Sequence, residues 1–250
     1  YGEGGAIYLD NVTLINISNS IFRDIQSRSD GAAIYAINCN DSVLYNLTFC
    51  GLISENFGGA VAWVDSHNLT IDANDFDSSA GSLNGGAIYI RYGSGAQIID
   101  SIFTDNKAKA GGGGAIRVTD HPNMVINGST FTSNTASSYG GAVHIFSNSN
   151  NVKIINSGFV GNKAPNGGGA LYLDSNNITI QDNSYFRQNT VTADGSDGGA
   201  IVLGDNVLLT NISSTEFSEN GAVDIGGAIY LSNSNAKLNI KESIFTLLAC

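Results

Sequence analysis

Short apolar runs of alternating character recur along the chain, each entered through a corner of small residues. Ile7-Tyr8-Leu9, Ile88-Tyr89-Ile90, Leu171-Tyr172-Leu173 and Ile229-Tyr230-Leu231 have a period of two. That period predicts strands with one buried face. A polar Asn/Ser/Asp stretch follows, then a second β-branched run such as Val12-Thr13-Leu14-Ile15, then a short strand ending on Phe, as in Ser101-Ile102-Phe103. The corner is Gly-Gly-Ala, ending at Ala6, Ala33, Ala60, Ala87, Ala115, Ala142, Ala170, Ala200 and Ala228, with Gly31-Ala32-Ala33 as its one variant. Sixteen or seventeen residues after each of these Ala lies a Phe: Phe22, Phe49, Phe76, Phe103, Phe131, Phe159, Phe186, Phe217 and Phe245.

Three short strands in 27 to 30 residues are too few for a separate domain, so each unit reads as one rung of a solenoid. The expected fold is all-β: a right-handed parallel β-helix, three-sided, with about nine coils. Residues 1–250 then form one β-helical repeat domain. Stacked rungs place like on like about 4.8 Å apart, which makes the nine Phe an internal ladder in a rod about 40 Å long. Gly at the corners permits positive φ, and Asn serves αL turns and hydrogen bonds along the stack. The gap from Phe186 to Ala200 is three residues longer than most. This locates an insertion in the loop 187–199, a place where solenoids accept added chain and carry function.

Composition narrows the function classes. A net charge of −11 with 11 dispersed Lys and Arg lacks the basic footprint of a nucleic-acid or anionic-membrane binder. No run of 18 apolar residues is present to span a bilayer as a helix. The chain starts just ahead of a repeat and ends on the apolar run 245–250, and neither end reads as a polar cap. The expectation is an excerpt of a longer chain, or rungs that stack end to end into a filament or coat.

Gly-Gly-Ala-Ile/Leu/Val paired with Phe-x-x-Asn resembles the repeat of the chlamydial polymorphic membrane proteins. Similar units occur in adhesin-like surface proteins of methanogenic archaea and in large surface proteins of protists. The second motif is met at Phe103/Asn106, Phe131/Asn134, Phe159/Asn162, Phe186/Asn189 and Phe217/Asn220, while Ile25, Leu52, Ser79 and Leu248 replace its Asn elsewhere. The resemblance implies a β-helical surface or secreted protein, often an adhesin.

Three sets of residues are candidates for function apart from catalysis. The position two after the corner Ala reads Tyr8, Tyr35, Ala62, Tyr89, Arg117, His144, Tyr172, Val202 and Tyr230. Flanked by inward aliphatics, it faces outward, and the tyrosines would form an aromatic stripe suited to a partner chain or glycan. A cross-strand ladder that only stabilises the sheet is the plainer role. Sequons at Asn11, Asn16, Asn40, Asn46, Asn68, Asn127, Asn177 and Asn211 are possible glycosylation sites in a secreted chain. Cys39 and Cys50 share a rung, and a disulfide between them is possible; Cys250 would be left to pair with a segment outside this chain.

Catalysis needs converging groups. Asp65, Asp120 and Asp205 share an offset but fall on rungs three, five and eight, and the best local patch is Asp65 with Asp72, Asp75 and Asp77. His67, His121 and His144 occupy different offsets and make no metal-ligand spacing with Cys. No catalytic residue, metal or cofactor is expected. The chain reads as a non-enzymatic, extracellular or cell-surface structural or adhesive scaffold. Its partners would be other copies of itself, surface glycans or a cell-surface receptor. A polysaccharide-binding or polysaccharide-cleaving β-helix is the alternative.

Overall fold

The computed structural model describes residues 5–246. The run 247–250, with Leu248 and Cys250, and residues 1–4 lie outside them. The first sheet runs from Ile7–Asp10 to Ile229–Leu231, the second from Asn16–Ser18 to Lys237–Lys241 and the third from Ile21–Arg23 to Ile244–Thr246. Each has nine strands in chain order, one per rung. All pairings are parallel and in register, so Phe22 sits beside Phe49, Ile88 beside Ile116 and Tyr8 beside Tyr35.

The expectation of three strands per rung falls short by one. Seven two-residue strands, from Gln26–Ser27 to Thr190–Val191, form a fourth sheet between the Phe strand and the next corner. Two residues carry too little period-two pattern to be recognised in a sequence.

Alternation along each strand sends aliphatic side chains inward. Ile88, Ile90, Ile98 and Phe103, from three sheets of one rung, are fully buried together. Phe rings from successive rungs lie nearly parallel, with centroids 4.5–5.2 Å apart and planes within 8° from Phe22 through Phe245. The strand spacing dictates that separation, and offset stacking at such a distance is attractive.

The Asn of Phe-x-x-Asn has a role that its place in the sequence does not reveal. It is buried at the corner after the Phe strand rather than placed in a solvated αL turn. Asn134 Nδ2 donates to Phe103 O (3.0 Å) in the previous rung and to Asn162 Oδ1 (3.0 Å) in the next. That same Oδ1 accepts from the Asn134 backbone N–H (3.0 Å). The unit repeats at Asn106, Asn162 and Asn189, and Asn220 keeps the bond back to Phe186 O, so a corner where the backbone ladder turns away keeps its polar groups satisfied. A parallel file of hydroxyls lines the preceding corner. Ser101, Ser129, Ser157 and Ser184 each donate to a carbonyl two or three residues back and accept a backbone N–H from the rung before.

The first glycine of each described corner is required by conformation. Gly140 has φ +62°, and a Cβ there would lie 2.3 Å from Val143 O. The second glycine is required by close approach rather than by φ: a Cβ on Gly141 would lie 2.1 Å from Gly169 O of the next rung, and rung two alone accommodates Ala32 at this place. Gly140→Ala is therefore expected to cost about 2 kcal/mol or more, the αL penalty plus the contact. Urea denaturation followed by far-UV circular dichroism reads this loss, and an unchanged midpoint would refute the conformational account.

Candidate functional site

The position two after the corner Ala faces outward on the first sheet, with Tyr89, Arg117, His144, Tyr172, Val202 and Tyr230 side by side on successive rungs. The five tyrosines do not make one open stripe. Tyr8 and Tyr35 pack at 5.5 Å, but Ala62 leaves a gap on rung three. Phe57, from the segment before the corner, fills this gap and stacks on Tyr89 at 4.5 Å, which leaves Tyr89 only 7% exposed. Tyr139 occupies the equivalent place three rungs on, 4.7 Å from Tyr172 and 6.0 Å from His144. The segment before the corner thus folds onto the outer face. An aromatic immediately before a corner glycine (Phe57-Gly58, Tyr139-Gly140) was the available signal, and sequence reasoning missed it.

Between these rings opens a cleft of about 180 Å³. Tyr139, Tyr172 and Tyr230 form its aromatic walls, Val202 lies between the last two, and Asp197 and Asp205 contribute carboxylates. Asp197 belongs to the inserted loop 187–199, which brings it beside Gly167 on the preceding rung. Asp205 Oδ1 accepts from Ser232 Oγ at 2.7 Å. Burial first, then Asp174, Tyr139 and Asp205, push the Tyr172 phenol up to about 12, so its hydroxyl stays a donor. Planar rings beside hydrogen-bonding carboxylates suit a hydroxylated ring that is apolar on its faces and polar at its edges. A larger hollow of about 340 Å³ on the third sheet holds Arg187 and Glu216, which already pair with one another (Nη2 to Oε2, 2.7 Å).

Next to the cleft, Arg117 Nη1 donates to His144 Nδ1, and Arg117 lies 5.3 Å from the Phe146 ring. Burial lowers the Arg117 guanidinium to about 10. Burial and the adjacent Arg117 hold His144 well below the ordinary imidazole value, so the ring is neutral.

The other candidates are dispersed. Asp65 is on the first sheet, Asp72 on the second, and Asp75 and Asp77 flank Phe76 on the third. Asp120 accepts from Asn148 Nδ2 at 3.0 Å. His121 is buried in a corner, where Nε2 accepts the Ala96 N–H and Nδ1 therefore donates to Tyr92 O. His67 contacts Ser94 at 2.9 Å. No group of three or more His, Cys, Asp or Glu suited to hold a metal occurs among the described residues. Of the sequons, Asn11, Asn16, Asn46, Asn68 and Asn177 are exposed, while Asn40, Asn127 and Asn211 are half-buried.

The possible Cys39–Cys50 disulfide is corrected: both thiols are free. Cys39 is fully buried and donates to Ile37 O at 3.2 Å, whereas Cys50 lies on a strand of the third sheet, 3.8 Å from Asp77 Oδ2. The two side chains therefore belong to different faces. Burial and then Asp77 push the Cys50 thiol up. In the folded protein, a thiol reagent followed by peptide mapping is expected to label Cys50 and spare Cys39. The Cys50 rate should keep rising with pH through and above its ordinary value near 9, because only the thiolate reacts. Equal labelling of both would contradict the geometry.

Residues 214–232 match the Chlamydia polymorphic membrane protein repeat. The structure of PfbA, a surface adhesin of Streptococcus pneumoniae, superposes with a TM-score of 0.56 at 13% identity, covering 96% of this chain and 61% of that one. The chain thus spans about three fifths of that adhesin's length. A hyper-glycosylated TibA fragment is 12% identical over 94% of this chain and 99% of its own, with a TM-score of 0.21, too far in shape to carry an argument. No curated protein matches. The model of the right-handed beta helix region matches residues 5–206, most of the length, and the chain belongs to that family.

Proposed function

We propose that the chain is a non-enzymatic adhesive scaffold of the cell surface that holds a neutral sugar ring in the cleft of Tyr139, Tyr172 and Tyr230. The observation that carries this reading is the cleft itself, with aromatic walls and the Asp197 and Asp205 carboxylates at one place on an otherwise regular rod. The polymorphic membrane protein repeat at residues 214–232 and the shape shared with a surface adhesin support a surface location. Outside the cleft the acids are scattered and His121 is held in a corner, and within it Asp205 is engaged by Ser232 with no Lys, Arg or His in the lining, which supports a binding role over a cleaving one. The exposed sequons Asn11, Asn16, Asn46, Asn68 and Asn177 are the positions we assign to glycosylation if the producing cell carries out that modification.

The test is an array of neutral oligosaccharides probed with the purified chain and with Tyr230→Ala and Asp205→Asn. Each substitution is expected to weaken retention about tenfold, equal to about 1.4 kcal/mol. Absence of any sugar bound by the unaltered chain would overturn the sugar reading. Shortening of a bound polysaccharide would overturn the non-enzymatic one.

A further inference from the structure

Nine of the eleven Lys and Arg side chains are exposed; Arg91 and Arg117 are the two that are not. Both lie on the outer face of the first sheet. Tyr89 pairs with Arg117 across the rung boundary, and Arg91 follows Tyr89 by two residues on the same strand and face. Both guanidiniums act electrostatically on the Tyr89 hydroxyl.

Arg117 has only neutral partners. Nε donates to Thr119 Oγ1 at 3.3 Å, Nη1 donates to His144 Nδ1, and the Phe146 ring lies alongside. Five N–H donors less these two leaves three without a protein acceptor among the described residues. Because Arg can only donate, His144 Nδ1 must accept, which puts the ring proton on Nε2. That atom is buried and has no partner either, on a residue 6% exposed. Arg91 Nη2 meets the Tyr92 hydroxyl, while its Nε is buried and unpaired. The carboxylate acting on Arg91, Asp120, is not within ion-pair distance, and its Oδ1 is engaged by Asn148.

A partly desolvated cation without a counter-charge is costly, and proteins ordinarily pair it. Here the described residues place no carboxylate within ion-pair distance of either guanidinium, and the remaining Arg117 donors are not among the buried unpaired atoms, so they stay open to a ligand. We propose that Arg117, assisted by Arg91, forms an oxyanion-binding site that takes the carboxylate of an acidic sugar. The guanidinium fork matches a planar carboxylate through paired N–H donors. The Tyr89–Phe57 stack and Tyr172 provide ring surfaces on either side. Arg117 and Tyr172 are two rungs apart, about 10 Å, so an acidic residue at Arg117 and a neutral one in the cleft belong to one short saccharide. This deepens the sugar-binding reading above and rests on it for the sugar, though not for the oxyanion.

The experiment titrates the isotope-labelled chain with glucuronate, glucose, glucose 6-sulfate and N-acetyl-aspartate amide, and follows the Arg117 Nε–H resonance by NMR. Arg117→Gln assigns that signal; Arg117→Lys keeps the charge but loses the fork. Glucuronate is expected to shift the signal, and its affinity to fall at least tenfold in both variants while Lys241→Gln, which removes an exposed cation on the second sheet, leaves it intact. A dominant response to glucose 6-sulfate would overturn the carboxylate assignment. An equal response to the aspartate amide would overturn the sugar in favour of an acidic peptide. An Arg117 signal unmoved by glucuronate would overturn the site outright, and neutral-sugar binding in the cleft, if seen, would then stand alone. Glucuronate binding at Arg117 with no neutral sugar held by the cleft would support this site and remove the cleft reading. The measurement on the unaltered chain decides the matter even if a variant fails to fold.

Discussion

Replacing Asn162 with alanine is expected to destabilise the protein by about 4 kcal/mol, as much as the loss of a large buried aromatic ring. Asn162 Oδ1 accepts the Asn134 backbone N–H and one Asn134 Nδ2 hydrogen, each at 3.0 Å. Its own Nδ2 donates to Phe131 O at 2.9 Å and to Asn189 Oδ1 at 3.0 Å. Alanine removes all four bonds and supplies nothing in their place. The Asn134 N–H is left without its acceptor in a fully buried corner, a loss of about 1–3 kcal/mol by itself. The other severed amide contacts add to it, since bonds in such a file polarise one another. Chemical denaturation reads the total, and hydrogen exchange gives the local signature: the Asn134 amide should lose protection ahead of its neighbours. A loss below about 1 kcal/mol with the Asn134 amide still protected would show that the corner does not depend on the side chain.

Phe131→Ala is expected to cost about 3–5 kcal/mol for a different reason. The ring is fully buried between Phe103 at 4.7 Å and Phe159 at 4.8 Å, with planes inclined by 3° and 2°. Truncation opens a cavity walled by two rings that their own strands hold in place, so the gap cannot close by collapse. Phe131→Leu keeps most of the volume and should cost about 1.5 kcal/mol. The comparison separates packing from hydrogen bonding, because neither Phe variant removes an acceptor from the Asn134 amide. Similar losses for Ala and Leu would argue against the cavity account.

Both effects arise from features of one motif that differed in how readable they were. The Phe positions were legible as a core ladder because side-chain direction alternates with period two and the unit length returns each residue to the same face. Register followed from the same two facts, and the paired strands put Phe beside Phe and Ile beside Ile. The Asn of the motif was visible as a repeat, yet its burial was not. Asn commonly marks solvated αL turns, and Asn46, Asn68 and Asn177 do take that role at φ 50–59°. Only the closed corner, with the Phe carbonyl of one rung behind and the Asn amide of the next ahead, makes the buried position favourable.

The outer face divides along the same line. Repeat length, the corner Ala and the parity of the strand place Tyr8, Tyr35, Tyr89, Tyr172 and Tyr230 on one outward file, and local sequence suffices for that because each placement depends on residues within a single unit. Their surroundings depend on contacts that have no period. Phe57 reaches Tyr89 from 32 residues away and covers it, and Tyr139 does the same for Tyr172 from a distance of 33. Asp197 arrives through an insertion found in one rung. Cys39 and Cys50 share a rung but point to opposite sides of its wall. Period and register are therefore properties of the chain read one unit at a time. The cleft and an Arg117 bonded only to neutral groups exist only where neighbouring rungs fold segments of unequal length over the same face, which is a matter of packing in three dimensions.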